Sequence, residues 1–364
     1  MPALPEGFDI DYTKPLNGTM APYAEQVIVC TGQPDWPSNI VEERNGDNVA
    51  ADLRELIGPR GKYSDPFHNI SVTNSSLPSS NSARDEVQTT SAFLFPSFKY
   101  IPFLPRVSFD SVEALVKGYL LPTKLHSAHD SLSPIHRDRL TRKKEFQELL
   151  YGAQDVQDIL VLICGHGGRD IRCGILGPLL QAEFEKQLPD NGIEVAREPI
   201  RIPSASSDTA KAIGTDAPSP QTLTARVGLI SHIGGHKFAG NTVIYIPKAA
   251  RTADGAPHPL AGSGIWYGRM QPGHVQGTIR ETILHGRIIV DMFRGGVREG
   301  GQILRLASPC ERAVAHPQAP HPTDYWLNQA CWLQALRFIV GFVEIDIDSN
   351  RAGLNDVAAF MAQD

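Results

Sequence analysis

Two cysteines and two histidines are the residues of this chain whose types and spacing suit chemistry best. Cys164 and Cys173 bracket one glycine-rich segment, and His232 and His236 bracket a second. Each segment follows an apolar run that is typical of a strand. Two thiolates and two imidazoles form the ligand set of a Cys₂His₂ zinc site or of a histidine-ligated iron–sulfur cluster. The four residues therefore predict one metal centre.

Each pair taken alone has a simpler interpretation. An isolated pair of cysteines is more often buried as small apolar side chains, and two histidines in a turn usually face solvent. The presence of both pairs in one chain favours the metal centre over these alternatives. Gly234 and Gly235 lie between the two histidines, and glycine disfavours helix, so the His segment is predicted to be a tight loop.

Four motifs resemble one known family. They are Cys-x₈-Cys at 164–173, His-x-Gly-Gly-His-Lys-Phe-Ala-Gly-Asn at 232–241, Ile-Trp-Tyr-Gly-Arg at 265–269 and Met-Phe-Arg-Gly-Gly at 292–296. Over residues 20–306 the chain resembles the thioredoxin-like 2Fe–2S ferredoxins, or sucrase/ferredoxin-like family. Its fungal members include the altered inheritance of mitochondria and actin patches distal proteins.

The resemblance implies a 2Fe–2S cluster with Cys164 and Cys173 on one iron and His232 and His236 on the other. Plain ferredoxins of this kind have cysteines where these histidines stand. Two ferric ions, two sulfides and two thiolates sum to zero charge with neutral imidazoles, so the potential is expected well above the roughly −400 mV of all-cysteine ferredoxins. Each imidazole also keeps one N–H, which allows electron and proton uptake to be coupled.

The predicted function is therefore redox, as one-electron transfer or redox sensing, with no catalytic residue and no defined substrate. One alternative is a structural or regulatory zinc protein with the same four ligands, which would form a closed tetrahedral site. The other is a thiol–disulfide oxidoreductase that uses Cys164 and Cys173 directly. Their separation is unusual for that chemistry, in which Cys-x-x-Cys is the norm.

Several neighbours of the four residues carry predictions of their own. Arg169, Arg172 and Lys237 place positive charge beside the ligands, which would lower the pKa of the thiols. His166 is predicted to donate a hydrogen bond behind the ligands rather than to bind metal, and Arg269 is a candidate to point toward the cluster. Core or surface roles are assigned to the remaining candidates, Cys30, Trp266, His274, His126, His129 and His136.

The pattern of elements predicts an α/β protein with two domains. Residues 1–150 read as a degenerate α/β domain, 151–306 as a thioredoxin-like ferredoxin domain with the order β-α-β, β-β-α, and 307–364 as a linker and helical tail without an assigned role. Predicted strands are Glu25–Cys30, Asp158–Cys164, Ile193–Ile202, Arg226–Ser231, Thr242–Ile246 and Gly264–Arg269. Predicted helices are Val49–Ile57, Ser111–Tyr119 with a Ser111 cap, Lys124–Tyr151, Leu176–Leu188, Pro272–His285 and Tyr325–Val343. The other predictions are an edge strand and loop at Ser91–Leu104, a mobile segment at 74–84, a loop at 203–224 and a linker at Pro309–Pro322.

Composition limits the remaining possibilities. The net charge is −6 with no dense Lys/Arg block, which argues against nucleic-acid partners, and no apolar run is long enough to span a bilayer. An odd count of five cysteines suits a reducing compartment. The resemblance implies mitochondria, although the acidic N-terminal residues do not read as a presequence, so a cytosolic location is the alternative. The expected partner is a redox protein or a small-molecule oxidant.

Overall fold

The computed structural model describes residues 8–81, 88–202, 223–252 and 254–306. It is a mixed α/β structure, as predicted, in which the described strands join into one sheet with the order β12-β11-β10-β9-β6-β8-β2-β1-β3-β4-β5, and β7 pairs with β8. The strands are β1 (Glu25–Cys30), β2 (Ile70–Ser75), β3 (Thr89–Phe95), β4 (Lys99–Pro105), β5 (Gln154–Asp155), β6 (Ile159–Cys164), β7 (Ile193–Val195), β8 (Leu223–Ile230), β9 (Thr242–Ile246), β10 (Ser263–Tyr267), β11 (Phe293–Arg298) and β12 (Gln302–Leu304).

The helix α4 (Ile171–Asp190) packs against β6 and β8 near the site, α1 (Val49–Ile57) packs against β2, and shorter helices connect the other strands. The shorter helices are α2 (Asp110–Leu115), α3 (Pro134–Arg139) and α5 (Val275–Thr278), with 3₁₀ or π turns at Ile40–Gly46, Val116–Leu120, Ser127–His129, Lys144–Leu149, His236–Phe238, Pro272–His274, Ile279–Leu284, Val290–Met292 and Glu299–Gly301. Asn48 caps α1 through the Ala51 N–H, and Asp170 caps α4 through the Arg172 N–H. Such caps satisfy backbone donors that have no partner inside the helix.

The two halves of the sheet repeat one arrangement. In the first half β1 and β2 are parallel, β3 is antiparallel to β1, and β4 is antiparallel to β3. In the second half β6 and β8 are parallel, β9 is antiparallel to β6, and β10 is antiparallel to β9. Each parallel pair needs a crossover connection, which contains α1 in one half and α4 in the other. The halves meet where β2 and β8 pair at Ser75 and Ile230. The division into two domains stays a prediction.

The buried strands and the helix α1 were the elements most readily predicted. Glu25–Cys30, Val49–Ile57 and Thr242–Ile246 have the predicted bounds. All six residues of β6 are buried, as are all six of β1, because side chains on both faces of these strands are packed in the core. In β6 this burial matches a continuous apolar run, which is typical of such strands, whereas β1 begins with Glu25 and Gln26.

Several predicted elements differ from the structure. The helix expected from Leu176 begins at Ile171, so Cys173 lies in its first turn and not in a loop. Ser91–Leu104 belongs to two strands, β3 and β4, which pair as a hairpin. Residues 70–75 form β2, although the segment 74–84 was predicted to be mobile. The polar side chains of β2 are compatible with a strand because they form hydrogen bonds with neighbouring groups. Ser75, for example, donates to the Val29 carbonyl.

The remaining differences concern length and capping. The strand expected at Ile193–Ile202 is only Ile193–Val195, and Lys124–Tyr151 holds three short helical segments rather than one long helix. Ser111 does not cap its helix, which begins at Asp110; its hydroxyl donates to the Pro105 carbonyl instead. The segment 203–222 and the predicted elements Pro309–Pro322 and Tyr325–Val343 lie outside the described residues.

Close backbone contact lets α4 approach the end of β6. A Cβ on Gly177 would lie 2.6 Å from the Cα of Gly165 and 2.9 Å from the Cys164 carbonyl oxygen. A Cβ on Gly174 would lie 2.6 Å from the Cα of Gly167. The glycines around Cys164 and Cys173 therefore serve the packing of the helix against the loop that precedes it.

Candidate metal centre

The two cysteines meet where β6 ends and α4 begins. Cys164 is the last residue of β6, and its N–H donates to the Asn241 carbonyl at 2.9 Å. Cys173 lies in the first turn of α4, where its N–H donates to the Asp170 carbonyl at 3.1 Å. Their exposed fractions are 1% and 0%, and neither forms a disulfide. A rigid strand end and a rigid helix turn therefore hold two sulfur atoms in the protein interior.

The two thiols shift each other's pKa in opposite directions. The hydrogen bond from Cys173 lowers the pKa of Cys164 well below its usual value, and a second hydrogen bond from His232 lowers it further, against the effect of burial. The pKa of Cys173 is raised, first by this hydrogen bond to Cys164 and then by burial. The pair is thus prepared to carry one thiolate, on Cys164, which is the form of cysteine that binds metals.

The His segment is a tight loop, as predicted. Gly234 and Gly235 have φ values of +80° and +74°, a left-handed conformation that glycine adopts without steric cost. A 3₁₀ turn follows at His236–Phe238, and Asn241 donates to the Gly235 carbonyl at 3.0 Å. These turns fold the segment back so that its two histidines lie together.

The imidazoles of the His loop lie next to each other and to the cysteines. The ring centroids of His232 and His236 are 5.5 Å apart, and His232 also hydrogen-bonds Cys164. His232 is half-buried, whereas His236 is exposed. Within the described residues the buried Nδ1 of His232 has no hydrogen-bond partner. An enclosed polar atom of this kind costs about 1–3 kcal/mol unless something binds it.

Pairwise contacts link the four side chains in a row. Cys173 contacts Cys164, Cys164 contacts His232, and His232 lies beside His236. Among the residues that the structure describes, no group of three or more His, Cys, Asp or Glu side chains is close enough to hold one metal ion.

His166 fixes the position of the His loop, in agreement with its predicted role behind the ligands. Its Nδ1 accepts the His232 N–H at 3.0 Å. Its Nε2 lies 3.1 Å from the Trp36 carbonyl oxygen and 2.9 Å from that of Pro37, so Nε2 carries the proton. Because both ring nitrogens are hydrogen-bonded, the neutral imidazole of His166 joins three parts of the chain. These are the loop after β6, the His loop and the backbone at Trp36 and Pro37.

Arg294 is the residue of the site that the sequence analysis did not single out. It lies in β11 with 2% of its surface exposed, and its Nη1 donates to the Gly234 carbonyl at 3.1 Å and to Asn241 Oδ1 at 2.7 Å. Its Nε and Nη2 bind the side chain and carbonyl of Thr19. The sequence feature that could have identified Arg294 is its place in the Met-Phe-Arg-Gly-Gly motif at 292–296.

The positive charges that were predicted beside the ligands have other partners. Arg169 is exposed and bonds Ser38, and Arg172 pairs with Asp170 at 2.8 Å. Arg172 acts on the pKa of Cys173 in the predicted direction, but as the smallest contribution.

Two further cations hold the segment of residues 9–20 against the site. Lys237 lies 3.8 Å from Asp11. Arg269 does not point toward the cysteines; it donates to the carbonyls of Asp11 and Lys14, each at 2.6 Å.

The other sequence candidates lie in the core or away from the four residues. Cys30 is buried at the end of β1, and burial raises its pKa to about 12. Trp266 is a core side chain, and His274 belongs to a capping box with Gln271. His129 bonds Asp65 at 2.8 Å, and His126 stacks on Phe67.

Comparison with known proteins agrees with the motifs. The sucrase/ferredoxin-like family profile matches residues 16–295, which is more than half of the chain. The protein belongs to the sucrase/ferredoxin-like family.

Fungal proteins are among the curated relatives that the chain matches. The altered inheritance of mitochondria protein 32 of Debaryomyces hansenii is 28% identical over 302 residues, which cover 81% of this chain and 90% of the relative. Its counterpart in Clavispora lusitaniae is 30% identical over 305 residues, with 81% and 89% covered. The counterpart in Meyerozyma guilliermondii is 27% identical over 304 residues, with 82% and 89% covered.

Two further results complete the comparison. No solved structure matches the chain significantly. Among the described residues, no helix combines the length and the apolar character that crossing a membrane requires.

The bonds of His166 give a testable prediction. His166→Ala leaves the His232 N–H and two carbonyls without their partner, so the free energy of unfolding should fall by about 1–3 kcal/mol, and amide exchange at His232–His236 should accelerate. Denaturant unfolding and hydrogen–deuterium exchange measure the two effects. His258→Ala is the matched control, because His258 is also buried and uses both nitrogens, toward Leu260 and Ile283. It should lose similar stability without faster exchange in the His loop. Equal exchange in both variants would contradict the assigned role of His166.

Proposed function

We propose that this protein carries a 2Fe–2S cluster bound by Cys164, Cys173, His232 and His236, and that it serves in one-electron transfer or redox sensing. The observation that carries the proposal is the unpartnered Nδ1 of His232, buried beside a hydrogen-bonded pair of thiols. A buried nitrogen and a thiolate at one place form a donor set that soft metal centres prefer. Membership of a family named for its likeness to ferredoxins agrees with a redox role.

The order of the four side chains fits a two-iron centre. Two sulfurs lie at one end of the row and two imidazoles at the other, which is the distribution of ligands in histidine-ligated 2Fe–2S centres. When bound, such a cluster supplies reversible one-electron chemistry. The cysteines are buried and His236 is exposed, so the imidazole end is the proposed point at which a partner exchanges electrons.

The chain's own residues hold this arrangement. Asn241 fixes Cys164 through its carbonyl and the His loop through its side chain. His166 holds the backbone of His232. Bonds behind the ligands are what orient them in metal sites.

We also propose that each half is a thioredoxin-like unit and that the first half has lost its metal ligands. The repeated strand order supports this, with β1 and β6 as equivalent central strands. Cys30 ends β1 as Cys164 ends β6. In the first half, however, no second cysteine stands in α1 (Val49–Ile57).

Two alternatives use the same residues. A zinc site would need all four ligands about 2.0–2.3 Å from one ion, which the row of side chains does not favour. Thiol–disulfide exchange needs access to a sulfur atom, and both sulfurs are enclosed.

The proposed partner is a redox protein or a small-molecule oxidant that reaches His236. The proposed location is the mitochondrion, after the name of the relatives, with the cytosol as the alternative.

Cysteine variants test the ligand assignment. Cys164→Ser and Cys173→Ser should each lose the cluster, because a hydroxyl is a poor ligand for iron. Cys30→Ser is the matched control, since it alters a buried cysteine at the equivalent strand end and should keep the cluster. Iron and acid-labile sulfide in each purified variant give the answer. Full cluster content in Cys173→Ser would refute the assignment.

The proposed imidazole ligands also predict coupling to protons. An imidazole that binds iron through one nitrogen keeps an N–H on the other, and reduction of the centre makes that proton harder to remove. The midpoint potential should therefore fall as pH rises, with a slope that approaches about −59 mV per pH unit. Protein-film voltammetry from about pH 5 to about pH 10 measures it, with the His232→Cys, His236→Cys double variant as control. A flat line in the wild type, or the same slope in the control, would exclude imidazole coupling.

A further inference from the structure

Arg294 is a buried cation without a carboxylate partner among the described residues. Its four hydrogen bonds all end on neutral acceptors, which are Thr19 Oγ1, the carbonyls of Thr19 and Gly234, and Asn241 Oδ1. By contrast, Arg226, also buried, forms an ion pair with Asp158 at 2.5 Å. Both arginines are buried, but a carboxylate compensates the charge of Arg226, whereas the acceptors around Arg294 are neutral.

A buried charge without a counter-charge is energetically costly. Hydrogen bonds from neutral groups offset part of the loss of hydration, but a charge in the interior is normally paired. Burial lowers the pKa of Arg294 to about 10, although Cys164 and Cys173 act to raise it. The guanidinium therefore remains charged at neutral pH, and the groups whose negative charge would act on it are these two cysteines.

The backbone around Arg294 leaves room for the guanidinium at this place. A Cβ on Gly235 would lie 2.6 Å from Arg294 Nη2, and a Cβ on Gly268 would lie 2.9 Å from its Cδ. The carbon of the guanidinium lies 5.9 Å from the ring centroids of both Phe238 and Trp266. Two glycines and two aromatic rings thus surround the Arg294 side chain beside the His loop, whose Gly234 carbonyl it binds.

We propose that Arg294 is the fixed counter-charge for the electron that the metal centre accepts. The inference rests on the function proposed above. With two thiolates and two neutral imidazoles, the oxidised 2Fe–2S centre has no net charge, and one electron from a redox partner protein makes it −1. Before the electron arrives, the centre has no net negative charge for the guanidinium to compensate. After reduction, the guanidinium compensates the single negative charge of the centre. Arg294 thus favours the reduced state and raises the midpoint potential.

Removal of the positive charge tests this role. Arg294→Gln keeps hydrogen-bond donors but no charge, and it should shift the one-electron equilibrium toward the oxidised state at least about tenfold, or about 59 mV. Arg294→Lys keeps the charge and should restore most of the potential. Arg169→Gln, which removes an exposed charge from the Cys loop, should leave the potential nearly unchanged because solvent screens it. Voltammetry at fixed pH and ionic strength measures all three.

Cluster content separates this inference from the proposed function. Iron and sulfide are assayed first in the wild type, and their absence there would refute the proposed function itself. A loaded Arg294→Gln variant with the wild-type potential would refute the counter-charge alone. A potential that falls equally in Arg294→Lys and Arg294→Gln would assign the effect to packing and would also overturn the inference.

A second variant keeps the test decisive if Arg294→Gln does not fold. Thr19→Glu places a carboxylate beside the guanidinium, which Thr19 already contacts, and should lower the potential by a similar amount. Thr19→Gln is its uncharged control of the same size. If Thr19→Glu and Thr19→Gln have equal potentials, charge at Arg294 does not reach the centre and the inference fails.

Discussion

The parallel pairing of β6 with β8 is the constraint on which the candidate site depends. The register places Cys164 beside Ile230, so the loops that follow both strands leave the sheet at the same edge. One loop leads to Cys173 and the other contains His232 and His236. Because side chains alternate along a strand, a slip of one residue would turn Cys164 to the other face of the sheet and separate the sulfurs from the imidazoles.

The first half of the chain supports this geometry directly. Its strand β2, which lies beside β8 in the sheet, holds the start of the His loop, since the Ser231 N–H donates to the Asn74 carbonyl at 2.8 Å. The Trp36 and Pro37 carbonyls orient His166, and Thr19 binds Arg294. A half without the proposed ligands therefore still helps to determine where they stand.

The sequence predicted well what depends on local pattern. An apolar run predicted β6, an alternating pattern predicted β9, and Gly234-Gly235 predicted the tight His loop. The start of α4 was missed because the glycines near Cys173 suggested a loop, whereas they pack the helix against the end of β6.

Long-range contacts were beyond the reach of local pattern. The charge at the site was assigned to arginines close in sequence to Cys173, but those are exposed or paired. The buried cation is Arg294 in β11, a strand that β10 and β9 separate from β6 in the sheet. No local pattern distinguishes a buried arginine from an exposed one, because the difference lies in which acceptors the fold brings to it.

The central claim is that imidazoles of this chain bind iron in a 2Fe–2S cluster. Pulsed electron paramagnetic resonance of the reduced protein, produced with ¹⁵N-labelled histidine, tests this claim most directly, because nitrogen bound to paramagnetic iron shows strong hyperfine coupling. We expect a cluster signal with couplings from two histidine nitrogens, reduced to one in His232→Cys or His236→Cys. A cluster signal without ¹⁵N coupling, or a zinc-loaded protein that gives no signal, would contradict it.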